Sequence, residues 1–246
     1  MMKLPAINFF FLLLTGLLLH NKATAQTEQS DSAFLQTAIN NAIAVYRQSE
    51  TDQSRLNNGR QYKPYTFTFI KGFPFFLTNQ SSRGSIIYDG GFYDNIQLLY
   101  DEIKEMLILD IGVRLELINE RVDQFTISGH TFIRLQKDSV NNLAGTGFYE
   151  RLYSGNIDVY KKEKKSIKEV LSTTEGTQAE ALEKKYYYLK KDNRYYPVKR
   201  KGDMLDVLRD KKNEIQQYIN KNNLNFKQDT DHTLATIAAY YDQLTK

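Results

Sequence analysis

The chain has 246 residues, with 33 lysines and arginines against 29 acidic residues and a formal charge of +4. It contains no cysteine, which excludes a disulfide framework and thiol chemistry. A nucleic-acid protein carries a marked basic excess, and a surplus this small argues against that class.

The first 25 residues have the layout of a secretory signal. Lys3 lies in a short basic start, residues 9–19 are a nearly unbroken apolar run, and Ala23 and Ala25 fit the A-x-A pattern that places a cut before Gln26. The apolar run is about half of the roughly 20 residues that span a bilayer. No cysteine follows it to carry a lipid, and no later segment is apolar enough to cross a membrane. Loss of Lys3 and Lys22 takes the basic count from 33 to 31 against 29 acids, so the mature chain is near neutral. The expected organisation is a signal peptide over 1–25 and a single α+β domain over 26–246, periplasmic or secreted. Without disulfides, that domain must rely on a packed core.

Residues 30–50 place Leu35, Ala38, Ile39, Ala42, Ile43 and Tyr46 at helical spacing, which predicts an N-terminal helix. The polar stretch 51–65 reads as a connector. Then the period changes. Tyr65, Phe67 and Phe69 alternate with threonines, the first strand signal. From Gly84 onward, short runs of Ile, Leu, Tyr, Phe and Val are punctuated by Asp89-Gly90, Ile111-Gly112, Asn119-Glu120 and Ser128-Gly129. Strands at such intervals predict consecutive antiparallel hairpins. Val113, Leu115 and Leu117 should be buried, with Arg114 and Glu116 in water. Leu107, Ile108 and Leu109 do not alternate, so both faces should be covered there. Residues 172–178 read as a mobile loop.

From about residue 202 the pattern is helical again. Asp203 is a candidate cap for a stripe of Leu205, Leu208, Ile215, Tyr218 and Ile219. Asp229 to Asp231 are caps for a second stripe of Leu234, Ile237, Ala238, Tyr241 and Leu244. The fold class expected is α+β but mainly β. About ten strands form a curved or roll-like antiparallel meander, with an N-terminal helix and two or three C-terminal helices.

Three stretches, "IKGFPFF" at 70–76, "GSIIYDGGFYDNIQLLYD" at 84–101 and residues 187–226, together with the signal segment, resemble a family of exported hypothetical proteins from Bacteroidota bacteria. The resemblance runs from about Leu56 onward and concerns overall pattern. It implies an envelope location and a sheet finished by terminal helices; it brings no activity and no site residues.

"KKYYYLKKDNRYYPVKRK", 184–201, holds eight basic residues and five tyrosines. Read alone it suggests a nucleic-acid surface, but export and the near-neutral balance argue otherwise. A β-hairpin fits better, with Lys191, Asp192 and Asn193 in the turn, Tyr186 and Tyr188 on one face, and Tyr187 and Leu189 on the other. One reading is a soluble edge hairpin whose lysines discourage intermolecular pairing. The other makes Tyr186, Tyr188, Lys190, Lys191, Arg194 and Tyr196 a binding surface for an anionic or sugar-rich envelope polymer. "YKKEKKSIKEV", 160–170, reads as a solvated strand end.

Catalytic signatures are absent. His130 and His232, the histidines after the signal, each stand alone, no zinc spacing occurs, and no Gly-x-Ser-x-Gly elbow or phosphate loop is present. Gly145-Thr146-Gly147 reads as a turn. Asp89, Asp94, Asp101, Glu102, Glu105 and Asp110 read as turn formers and surface charge. No metal or other cofactor is expected. Phe73, Phe75, Phe76, Phe92, Tyr93, Phe148, Tyr149 and Tyr186 to Tyr188 are either core or the lining of a cavity on a concave sheet face. The composite expectation is a non-catalytic binding or accessory protein whose partner is an envelope protein, lipid or polysaccharide, not nucleic acid. The alternative is an envelope hydrolase centred on His130 or a carboxylate.

Overall fold

The computed structural model describes residues 37–39, 41, 55–172 and 176–246. The chain divides into two units, Met1–Gln53 and Ser54–Lys246. In the first, residues 37–39 and 41 are helical; the rest of the expected N-terminal helix and the signal segment lie outside the described residues.

The second unit is mainly β, one open and largely antiparallel sheet. Its strands are β1 Arg60–Gln61, β2 Thr68–Lys71, β3 Ser82–Tyr88, β4 Gly91–Asp101, β5 Met106–Asp110, β6 Arg114–Glu116, β7 Val122–Ile127, β8 His130–Leu135, β9 Gly147–Tyr153, β10 Asp158–Ser172, β11 Gly176–Lys191 and β12 Arg194–Val198. The spatial order is β1-β6-β5-β4-β3-β7-β8-β9-β10-β11-β12, and β2 joins β11 in parallel. Three helices follow: α1 Lys201–Val207, α2 Lys212–Lys221 and α3 Thr230–Leu244.

The tight hairpins have a local cause. Asp89 and Gly90, Ser128 and Gly129, and Asp192 and Asn193 all have positive φ. Two successive left-handed residues form the type I′ turn, whose twist matches that of paired strands. Between hairpins the order departs from a simple meander. β7 does not extend from β6; it returns to pair with β3, on the side away from β4. The one-turn 3-10 segment Asn119–Arg121 makes this passage, and Asp89 donates its N–H to the Arg121 carbonyl. The expected loop at 172–178 is also shorter, since Ser172 ends β10 and Gly176 begins β11.

Four clusters fill the two sheet faces. In the largest, Tyr100, Phe125, Phe132 and Phe148 come from four different strands, and their rings meet at 4.7–5.8 Å. The sheet therefore curls, and its concave side is filled with rings. Leu107 and Leu109 belong to this cluster, while Ile108 faces Tyr62 and Phe75 in another, so β5 is covered on both faces. On β6 the expected alternation is partial: Leu117, just past the strand, is buried, but Val113 is exposed. The helices lie over β9–β12. Leu205, Leu208, Ile215, Ile219, Leu234, Ile237 and Tyr241 join Val159, Leu189 and Val198. The stripe expected as one helix is broken after Val207 by a 3-10 turn, Arg209–Lys211. Asp203 lies three residues into α1 and accepts the N–H groups of Lys199 and Arg200. Asp229 caps α3 by accepting the His232 N–H.

Strand β10 departs most from the sequence expectation. Lys161, Lys162 and Lys165 are buried, not solvated. Past Lys161, β9 no longer pairs with β10, and the β4–β5 turn takes its place, with Lys165 donating its N–H to the Glu102 carbonyl. That turn brings Glu102 and Glu105, so these are not surface charges. Lys165 Nζ sits 2.9 Å from Glu102 Oε2 and 2.6 Å from the Phe75 carbonyl. Lys162 pairs with Glu105, whose carboxylate also accepts the Phe148 N–H. Gly147, in the stretch read as a simple turn, begins β9 at φ 142°, and a Cβ there would overlap the Glu105 carboxylate. Asp101 is buried as well, accepting from Tyr62, Tyr65 and the N–H groups of Ile103 and Lys104.

Burial lifts the Glu102 carboxyl to about 7, against the opposing pull of Lys165. The folded chain thus holds a proton that the unfolded chain, with an ordinary value of 4.5, has released. The Glu102 contribution to stability is full below that ordinary value and is lost as pH rises through about 7. Denaturant titrations across this window should show that slope, and Glu102→Gln should flatten it. Lys165→Met strands a buried carboxylate and should cost about 3–5 kcal/mol at alkaline pH. The cost should shrink on acidification, as Glu102 takes up its proton.

Candidate functional site

The six residues singled out on the β11–β12 hairpin do not form one surface. Pairing of Lys190 with Tyr195 and Leu189 with Tyr196 fixes which side chains share a face. Tyr186, Tyr188 and Lys190 lie on one face. There Tyr188 is buried edge-on against Tyr149 at 5.8 Å, and Lys190 sits over the Tyr195 ring. Lys191, Arg194 and Tyr196 lie on the other. Lys191 binds Asp210 at 2.9 Å, Tyr196 packs against the helices, and Arg194 is exposed. The aromatics are likewise divided: Phe76, Tyr93 and Phe148 in one cluster, Phe75 and Phe73 in a second, Tyr149 and Tyr188 in a third. Phe92 is 64% exposed. Of the two readings of these aromatics, core or cavity lining, the concave face shows core.

An open basin of about 620 Å³ lies instead where β12 stops. Val198 pairs with Tyr187, and the chain then turns into α1. The next strand along that edge of β11 is β2, which reaches it only at Glu180. The gap exposes Lys185 and half-buried Tyr186. Tyr186, Tyr187 and Tyr188 line the basin, with Phe226 from the α2–α3 loop, Thr230 from the start of α3 and Asn142 from the β8–β9 loop. Its charged lining residues are Lys185, Lys199 and Lys227, and no carboxylate lines it. Lys185 is 3.6 Å from Glu163; Lys199 and Lys227 have no ion pair among the described residues. The basin beside Lys191, by contrast, mixes Lys191 and Arg209 with Asp192, Asp206 and Asp210.

Two of the sequence-selected residues, Tyr186 and Tyr188, therefore belong to the basin. Lys185 and Lys199 also line it and lie within the same basic stretch, 184–201, whose charge is the local signal for them. Phe226, Lys227 and Thr230 carry no local signal, because the α2–α3 loop and the start of α3 reach the hairpin only through tertiary packing.

The basin is tied through Tyr187 to a half-buried polar chain. Tyr187 donates to Asp231 Oδ1 at 2.6 Å, and Lys161 bridges Asp231 Oδ2 at 2.7 Å and Glu150 Oε2 at 2.5 Å. Glu150 Oε1 lies 2.5 Å from His130 Nδ1. Burial alone would lower the Lys161 pKa, but hydrogen bonds to Asp231 and Glu150 outweigh it and raise it. Burial alone would raise the Asp231 carboxyl, but Lys161 and Tyr187 hold it below its ordinary value. His130 begins β8, with its ring edge-on to Phe76 at 5.1 Å. His232 is exposed in the first turn of α3. Among the described residues no group of three or more His, Cys, Asp or Glu could hold a metal ion, and no helix is long and apolar enough to cross a membrane.

No family model, curated protein or solved structure matches this chain.

The polar chain secures the N-terminal end of α3, and with it Thr230, against the sheet. Asp231→Asn removes the charge from two hydrogen bonds and should lower stability by about 1.5–3 kcal/mol. Denaturant midpoints of the two proteins measure this. The loss should shrink toward low pH, where the wild-type carboxylate is itself protonated.

Proposed function

We propose that this is an exported, non-catalytic binding protein of the cell envelope that holds an acidic saccharide in the basin beyond the end of β12. The observation that carries the reading is the lining: three lysines and no carboxylate around aromatic walls, in a chain whose charge is otherwise nearly balanced. Separation of charge of this kind draws anions to a surface and is weakened by salt. Half-buried Tyr186 and Phe226 offer ring faces to the C–H surface of a sugar, and Asn142 and Thr230 offer hydrogen-bonding groups. A volume of about 620 Å³ suits a ligand of several linked rings. The signal-like start and the resemblance to exported proteins favour an envelope location, where acidic polymers are present.

Calorimetric titration with acidic oligosaccharides tests the reading. Binding should weaken as salt rises. Tyr186→Ala and the paired change Lys199→Ser with Lys227→Ser should each reduce affinity about tenfold, with the fold retained by circular dichroism. Equal affinity of wild type and both variants, or binding indifferent to salt, overturns it.

One observation favours a hydrolase instead: a buried carboxylate, Glu150, holds His130 Nδ1, the arrangement that orients an imidazole as a general base. Turnover of envelope glycans or esters by the wild type, abolished in His130→Ala, would establish that reading.

A further inference from the structure

A second basin, of about 630 Å³, abuts the first. The two share Phe226 and Lys227 as a common wall. The second adds Lys201, Asn220, Asn223 and Asn225, and again no carboxylate lines it. The two depressions thus carry four lysines between them, Lys185, Lys199, Lys201 and Lys227, with side-chain amides at both ends and a half-buried ring in the middle. Resting on the reading above, we infer that the ligand is an internal run of an acidic polysaccharide lying astride Phe226 and Lys227, with one basin on each side, and not a single sugar or a chain end.

The wall between the basins is held by local hydrogen bonds. Asn223 takes the left-handed conformation at φ 51°, and Leu224 donates its N–H to the Ile219 carbonyl, closing the end of α2. Asn225 Oδ1 then accepts the N–H groups of Lys227 and Gln228, and the Thr230 hydroxyl donates to the Phe226 carbonyl. Asn225 itself lines the second basin. A ridge held by local hydrogen bonds loses little freedom on binding, so contacts on its two sides add to affinity with little ordering cost. A polymer that bridges it gains from both basins at once, whereas a fragment that fills one basin gains from one. Side-chain amides and ammonium groups both donate hydrogen bonds, which suits hydroxyl and carboxylate oxygens repeating along a chain.

The test uses oligomers of galacturonic acid, from disaccharide to octasaccharide, with neutral dextran fragments of matching length as controls. Affinity for the full chain of this protein should rise steeply, by about tenfold or more, between the disaccharide and the hexasaccharide, and then level off once both basins are spanned. Lys201→Ser should lower hexasaccharide affinity several-fold and leave disaccharide affinity unchanged, while Lys199→Ser should lower both. Affinity that is the same at every length, or a Lys201→Ser variant that matches the wild type on the hexasaccharide, overturns the two-basin inference while leaving the first basin as a site. Failure of every acidic oligomer to bind, or binding equal to that of dextran, overturns the underlying reading and this inference with it.

Discussion

The structure depends on three ammonium groups buried along one strand. Lys161, Lys162 and Lys165 of β10 reach carboxylates on three separate elements: Glu150 of β9 together with Asp231 of α3, then Glu105 and Glu102 of the β4–β5 turn. A buried ammonium without a partner is costly, so each lysine compels an acidic residue from elsewhere in the chain to stand beside it. The set of three fixes how the curled sheet meets β10 and how the last helix lies on it. Such pairs add little net stability over apolar residues of similar size. They do penalise alternative packings that would leave a charge stranded.

That constraint also accounts for the position of the basin. β10 is held against β9 and then against the β4–β5 turn on one edge. On its other edge it pairs with β11 along its entire length. β11 is therefore paired on its inner edge even where its outer edge is covered by neither β12 nor β2. A paired strand with an uncovered edge, flanked by a loop that the helices hold in place, is a preformed concavity. The lysines beside it are the reverse of those on β10: exposed, distributed around an acid-free lining, and available to an outside anion.

Part of this was legible in the residues. The hairpin around Asp192 and Asn193 follows from local turn chemistry, and so does the division of Tyr186 and Tyr188 from Tyr187 and Leu189. The continuous apolar run at Leu107, Ile108 and Leu109 announced a strand covered twice. The lysines at 161–165 were misread because a lysine in a strand is ordinarily solvated, and nothing within ten residues supplies Glu102, Glu105 or Asp231. The break after Val207 was hidden because apolar spacing continues across it. The parallel pairing of β2 with β11 joins residues more than a hundred positions apart, and no local pattern encodes it.

The sequence by itself determined the mainly-β character, the main hairpin turns and the apolar stripes of the helices, because each depends on the conformational preference or periodicity of residues close together in the chain. Tertiary structure alone decided which lysines are buried, which tyrosines remain accessible and where an acid-free basin opens. Those outcomes depend on which distant carboxylate, strand edge or loop arrives beside a given side chain, and that is set by packing between elements.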